Sequence, residues 1–175
     1  TGLVIYRWFD TNVRSAMESI AKNANLMQQL YVPKYAFPLA ATVASTIKFL
    51  LVLGLLAVFL VSQGHSPNIT WLALPGLIGI EFLFSLFIGT LTALVIPFLP
   101  DLRILISNGL MLLLFLSGVF YDGASIPEPW QTYFFLNPLA VLIQAFRHVL
   151  IDGQWPHWGA LLIILAVSLA GLAAT

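Results

Sequence analysis

The chain has no cysteine, which excludes disulfides and thiolate-held metals. Charge is nearly as scarce: seven Lys and Arg balance seven Asp and Glu, 8% of 175 residues, for a formal net charge of zero. No basic surface of the kind that holds nucleic acid can be built from this, so any electrostatic role has to be local. The three histidines, His65, His148 and His157, do not stand at metal-ligand spacing. Also missing are a G-x-x-x-x-G-K-[ST] phosphate loop, an H-E-x-x-H pair and a G-x-S-x-G elbow. The expectation is a chain with no catalytic residues, no metal and no cofactor of its own. If it does driven work, the energy has to enter from a partner. Nothing resembles a signal peptide, because no basic stretch precedes a short apolar core and a cleavage site.

What the sequence has is apolar length. Hydrophobic residues make up 60% of it, and its mean hydropathy is +0.97. Uncharged or nearly uncharged runs cover 36–61, 71–97, 102–121 and 158–175. A helix needs about 20 apolar residues to cross a bilayer, and only helices or closed barrels satisfy their backbone there. The expected fold class is an all-α integral membrane bundle, one transmembrane domain over 1–175. Spans are expected at about 1–21, 36–61, 71–97, 102–121 and 158–175. Segment 1–21 is the odd one, since Arg7, Asp10, Asn12, Arg14 and Glu18 interrupt it. Such a helix must face protein, a watery cavity or the interface rather than lipid on all sides. The chain starts without Met and ends inside an apolar run, so a fragment lacking one span before Thr1 is expected. Lys22 and Lys34 flank one loop and Arg103 sits in another, whereas 62–70 and 122–157 hold no Lys. The positive-inside bias therefore places 22–35 and 98–103 in the cytoplasm and the other two loops outside.

Segment 122–157 is broken by Asp122-Gly123, by Ile126-Pro127-Glu128-Pro129 and by Asn137-Pro138. Two apolar stretches remain, 130–136 and 139–151, each too short to span. The expectation is a re-entrant pair of helices over 130–151 that dips in from the outer side and turns at Asn137-Pro138. An amphipathic hairpin lying on the surface is the blander reading. Lys48 lies twelve residues into its run and Glu81 ten residues into the next, which counts to similar depths. A buried Lys48–Glu81 ion pair is expected, with a role in conduction as the alternative. Tyr6, Trp8 and Phe9, like Tyr121, Trp130, Tyr133, Phe134 and Phe135, suit an aromatic belt at headgroup level or the wall of a sugar conduit.

The run Asn23-Ala24-Asn25-Leu26 through Tyr31-Val32-Pro33 resembles the N-A-N-L-(I/V)-x-x-x-Y-x-P stretch of permeases of type-2 ABC exporters, in the branch that exports O-antigen, teichoic acid and related polysaccharides. Pro100-Asp101-Leu102-Arg103 is similar to that family's short cytoplasmic turn. Ser117-Gly118-Val119-Phe120-Tyr121, Ile126-Pro127, Asn137-Pro138-Leu139 and Arg147 resemble its outer signature, with Gly118 where Pro is common and Phe146 where Tyr is common.

The resemblance implies a six-span half-transporter, here without its first span, that homodimerises on a separate ATP-binding subunit. ATP and magnesium would be bound by that partner. It implies an ATPase-coupling region over 19–35 carried by Ser19, Asn23, Asn25, Gln28 and Tyr31. It implies an outer gate involving Tyr121, Trp130, Asn137, Pro138 and Arg147, and a substrate channel touched by Tyr6, Trp8 and Phe9. The implied function is ATP-driven export of a lipid-linked, O-antigen-like polysaccharide across a bacterial inner membrane. Two alternatives stand beside it. One is a drug or small-lipid exporter of the same superfamily, and the other an intramembrane glycan-modifying enzyme using Arg147, His148 and Asp152.

Overall fold

A computed structural model describes residues 1–22, 35–64, 68–121, 127, 131 and 133–175. Among these there are helices and turns and no strand. The helices are α1 (Gly2–Lys22), α2 (Ala36–Ser62), α3 (Leu74–Val95), α4 (Leu102–Leu116), α5 (Pro138–Arg147) and α6 (Trp158–Ala174). A 3-10 turn, Ile69–Ala73, leads into α3, and a π-helical turn, His148–Asp152, prolongs α5.

Ala36–Ser62 and Ile69–Val95, each of 27 residues, are long and apolar enough to cross a membrane, while Leu102–Leu116 and Trp158–Ala174 are shorter apolar helices. Within the described helices, proline stands only in first turns. Pro38 lies in the first turn of α2, Pro75 opens α3 and Pro138 opens α5, all before the donors of the i to i−4 ladder begin. The run 102–121 is helical only to Leu116. Ser117 leaves helical geometry and Gly118 takes φ +67°, a left-handed value that favours glycine. A Cβ on Gly118 would also stand 2.6 Å from the ring of Phe134. The fourth apolar run is therefore a helix about 22 Å long followed by a turn.

The most polar helix, α1, lies at the centre. It packs against α3 and α2 and also touches α5 and α4. Ile5, Tyr6, Trp8, Phe9, Val13, Ala16 and Met17 are all buried along it. α3 turns Leu77, Glu81, Ser85, Gly89 and Ala93 inward at i, i+4 spacing, with Ile80 and Phe84 beside them. Lipid gives helices no hydrophobic reason to associate, so close approach and polar contacts have to hold them, and small residues permit both. The surrounding helices expose the opposite character. Ile47, Leu51, Leu55 and Val58 of α2 are each more than half exposed, as are Leu105 and Leu112 of α4 and Ile163 of α6. Apolar surface this extensive belongs against lipid or another subunit. The chain is a membrane protein.

Contacts between elements sort the ends of the bundle into two sets. At one end Arg103 pairs with Glu18, which brings the 98–103 turn to the end of α1. At the other end, Thr70 Oγ1 donates to the Val149 carbonyl at 3.3 Å. Gly2 there lies close to Ile143, Arg147 and the Val119 carbonyl. These two groupings are the ones the charge bias assigns to opposite sides of the membrane.

Candidate functional site

A cavity of about 320 Å³ opens between α1 and α2. Its polar positions are Arg7 and Thr11 from α1 and Ser45 and Lys48 from α2. Its floor is a stack of Trp8 on Phe49, ring centroids 3.9 Å apart and 6° from parallel. Leu3, Val4 and Val52 complete an apolar wall. Among the described residues no carboxylate lines it. Other ionised groups of α1 are already matched. Arg14 Nε donates to Asp10 at 2.9 Å and Arg14 Nη2 to the Ser107 carbonyl at 3.2 Å, and Glu18 holds Arg103. Asn12 is fully buried and accepts from the Ser45 hydroxyl. Arg7, Asp10, Arg14 and Glu18 are thus turned to protein or to the cavity, as a polar helix in an apolar bundle requires.

The expected Lys48–Glu81 ion pair does not form. Glu81 is completely buried on the inward stripe of α3, and both of its carboxylate oxygens lack a hydrogen-bond partner among the described residues. Lys48 is exposed and faces the α1–α2 cavity. Counting 1.5 Å per residue fixes depth and leaves rotation about the helix axis open, and rotation separates these two groups. Of the three aromatics expected along a channel, Trp8 lines the α1–α2 cavity, and the other two pack inside the bundle. Tyr6 is buried and donates its hydroxyl to the Leu110 carbonyl, and Phe9 is buried against Phe84 with centroids 5.5 Å apart. Both rings instead fix α1 to α4 and α3.

The residues assigned to an outer gate do gather where they are described. Asn137 caps α5: its Oδ1 accepts from Leu139 N at 3.0 Å, and its Nδ2 donates to Ser117 Oγ at 3.0 Å. Pro138 is the first helical residue, so the Asn137-Pro138 break begins a helix. Arg147 closes the same helix, donating to the Tyr121 carbonyl at 3.2 Å and the Gly118 carbonyl at 3.3 Å. Tyr121 in turn donates to the Phe115 carbonyl at 2.9 Å. Both ends of α5 are therefore tied to the turn after α4. Between those ties Leu139, Ala140, Leu142, Ile143, Gln144, Ala145 and Phe146 are buried, so α5 is a core element of the protomer. Trp130 lies outside the described residues. Asn137→Ala removes both the cap and the tether to Ser117. It is expected to destabilise the protein by about 1 kcal/mol from the cap, with a smaller loss for Ser117→Ala. Thermal unfolding of the purified protein, with the double variant showing less than the sum, checks that the two residues act together.

The enzyme alternative finds little to work with. His148 Nδ1 lies 2.9 Å from Asp152 Oδ2 one turn along, but Arg147 is committed to backbone carbonyls on the other side. Among the described residues no group of three or more His, Asp or Glu gathers as a metal site.

The sequence profile of the ABC-2 type transporters matches residues 2–151. The chain belongs to the ABC-2 type transporter family. It is the membrane permease part of such a transporter. It is similar to an O-antigen export system permease protein RfbA of Klebsiella pneumoniae, 27% identical over 154 residues, 87% of this chain and 60% of the relative. A protein of the same name in Myxococcus xanthus is 25% identical over 169 residues, 95% of this chain and 65% of the relative. The chain thus spans about three fifths of the length of these relatives.

Of the coupling residues expected in this ABC-2 permease, only Ser19 is described. It is buried, and its hydroxyl donates to the Ala16 carbonyl at 2.6 Å. Asn23, Asn25, Gln28 and Tyr31 lie outside the described residues. Sequence reading misses the grouping of Arg7 with Lys48, and the roles of Thr11, Ser45 and Phe49 beside them. The available signal is that Lys48 stands alone among 26 apolar or neutral neighbours of α2. A lone mid-helix cation needs a polar counterpart, and α1 is the polar helix adjacent in sequence.

Proposed function

We propose that this chain is the membrane-spanning subunit of an ATP-driven exporter that moves a lipid-linked, O-antigen-like polysaccharide from the cytoplasm across a bacterial inner membrane. The observation that carries the reading is the family match over 2–151, joined by relatives whose names specify O-antigen export. The arrangement of the helices supports it. A charged helix held inside an apolar bundle, with a cationic cavity beside it, suits passage of a polar cargo better than a purely structural anchor.

In this reading the protein is a multi-pass homodimer, each subunit resting on a separate ABC ATPase that binds ATP and magnesium. The coupling region 19–35, with Asn23, Asn25, Gln28 and Tyr31, meets that ATPase. Its movement on ATP binding is transmitted along α1, which packs on both α2 and α3. Residues 130–151 act as the outer gate, dipping into the membrane from outside. No bond in the glycan is made or broken by this chain.

Deleting the gene is expected to remove the surface polysaccharide while lipid-linked polymer accumulates inside, and the full-length gene should restore export. Cysteines at Asn25 and Gln28 should crosslink to the partner ATPase in the assembled complex. Unchanged surface polymer, with a drug or a small lipid retained instead, would transfer the assignment to the related exporters.

A further inference from the structure

Arg7 and Lys48 have no ion pair and no hydrogen bond among the described residues. Both line the α1–α2 cavity, where no acid stands among the described lining residues. The nearest acid in sequence, Asp10, is occupied by Arg14 at 2.9 Å, and Glu81 is sealed inside the bundle. The level of the cavity matters as much as its charge. Lys48 is twelve residues from one end of α2 and fourteen from the other, so it lies about 18–21 Å from each. That is the middle of the helix, where a cation without an anionic partner is at its most unfavourable.

From this placement we infer that the cavity is a transit site for the phosphate of a lipid-linked substrate, held between Arg7 and Lys48 partway across the membrane. The inference rests on the export reading and assigns a site to it. A planar guanidinium and a compact ammonium lining one cavity suit a phosphate: Arg supplies a two-pronged fork and Lys a point charge. Thr11 borders the same space with a hydroxyl able to donate to a passing oxygen, while the Ser45 hydroxyl there is already given to Asn12. The walls fit the rest of such a molecule. Leu3, Val4 and Val52 offer an aliphatic surface to a lipid chain, and the stacked Trp8–Phe49 floor offers a flat face to a sugar ring. A resident phospholipid would keep its phosphate at the bilayer surface, so a cationic site at mid-helix favours a phosphate on its way through.

The test uses the full-length permease in lipid nanodiscs with undecaprenyl phosphate as the probe, read by native mass spectrometry, with phosphatidylglycerol as competitor. The wild-type protein is expected to retain the probe. Arg7→Gln with Lys48→Gln should lower retention at least tenfold, Lys48→Arg should preserve it, and Arg103→Gln, away from the cavity, should leave it unchanged. Size-exclusion profiles establish that the variants remain folded. Retention that does not depend on Arg7 and Lys48 overturns the site. So does phosphatidylglycerol displacing the probe with the same cation dependence, which would make the cavity a phospholipid seat. Efficient crosslinking of cysteines at position 48 between two subunits also overturns it, since a second copy would then fill the groove. If the deletion strain exports its polysaccharide normally and cation-dependent retention persists, the export reading fails while the phosphate site stands.

Discussion

Gly89→Leu is expected to leave no stable permease, and Gly89→Ala a weakened one. An ideal Cβ at Gly89 lies 2.6 Å from the Cβ of Ala16, inside the closest approach of two methyl groups, and 3.8 Å from the Asn12 carbonyl oxygen. The obstructing atom is a rigid methyl on the facing helix, so relief requires α1 and α3 to separate. That movement would also disturb Phe9 on Phe84 and the burial of Val13, the principal packing of the protomer. Overpacking of a close interior contact costs roughly 1–3 kcal/mol for a methyl, and a leucine adds three more carbons in the same place. Ala16→Gly should rescue Gly89→Ala, because the second change vacates the space the first fills. The measurements are the yield of monodisperse protein and its thermal midpoint in detergent. If Gly89→Leu purifies with an unaltered midpoint, α1 and α3 do not meet at this level.

Much of this arrangement is legible in the sequence because it follows from length and from backbone chemistry. The long apolar runs form helices, since a membrane offers their backbone no other partner. Asn137-Pro138 reads as a break and is a helix start, for Pro138 lacks only an N–H that would have no partner within the helix, while Asn137 accepts from Leu139 N. The polar run Arg7–Glu18 reads as a helix needing protein around it, and α1 is the centre of the bundle.

Azimuth is not legible. Lys48 and Phe49 are neighbours about 100° apart on α2: Phe49 packs on Trp8 while Lys48 faces the cavity. Nothing in the spacing of the second and third runs distinguishes that rotation from one that points Lys48 at Glu81. The same limit hides the fate of Tyr6 and Phe9, whose side of α1 is set by where α3 and α4 lie. The end of α4 escapes notice for a different reason. The apolar run continues to Tyr121, and only the left-handed glycine at 118, pressed against Phe134, ends the helix early.

Glu81→Met should raise the stability of the protein. Glu81 is wholly enclosed, and among the described residues neither carboxylate oxygen has a hydrogen-bond partner. Ser85 Oγ, one turn further along the same stripe, is also unpartnered, as are Asn12 Nδ2 and Trp8 Nε1 on the facing helix. An enclosed polar group without a partner disfavours the folded state by about 1–3 kcal/mol relative to an apolar group of the same shape. Methionine matches the length of glutamate and is flexible enough to fill its place. Glu81→Met is therefore expected to stabilise by about 2 kcal/mol. Glu81→Gln keeps polar atoms in the same enclosure and should change little. The signs are what distinguish a burdened packing position from a working one. Thermal unfolding of both variants in nanodiscs gives the comparison, and the surface-polysaccharide assay gives the second axis. A stabilised Glu81→Met variant that still exports makes Glu81 a polar residue enclosed at a cost in stability. One that is stabilised and no longer exports would show that the carboxyl is retained for a step in transport, with reduced stability as the consequence. A destabilised variant would mean that the carboxylate oxygens are bonded in the assembled transporter, and Glu81 would then hold α3 in place instead of burdening it.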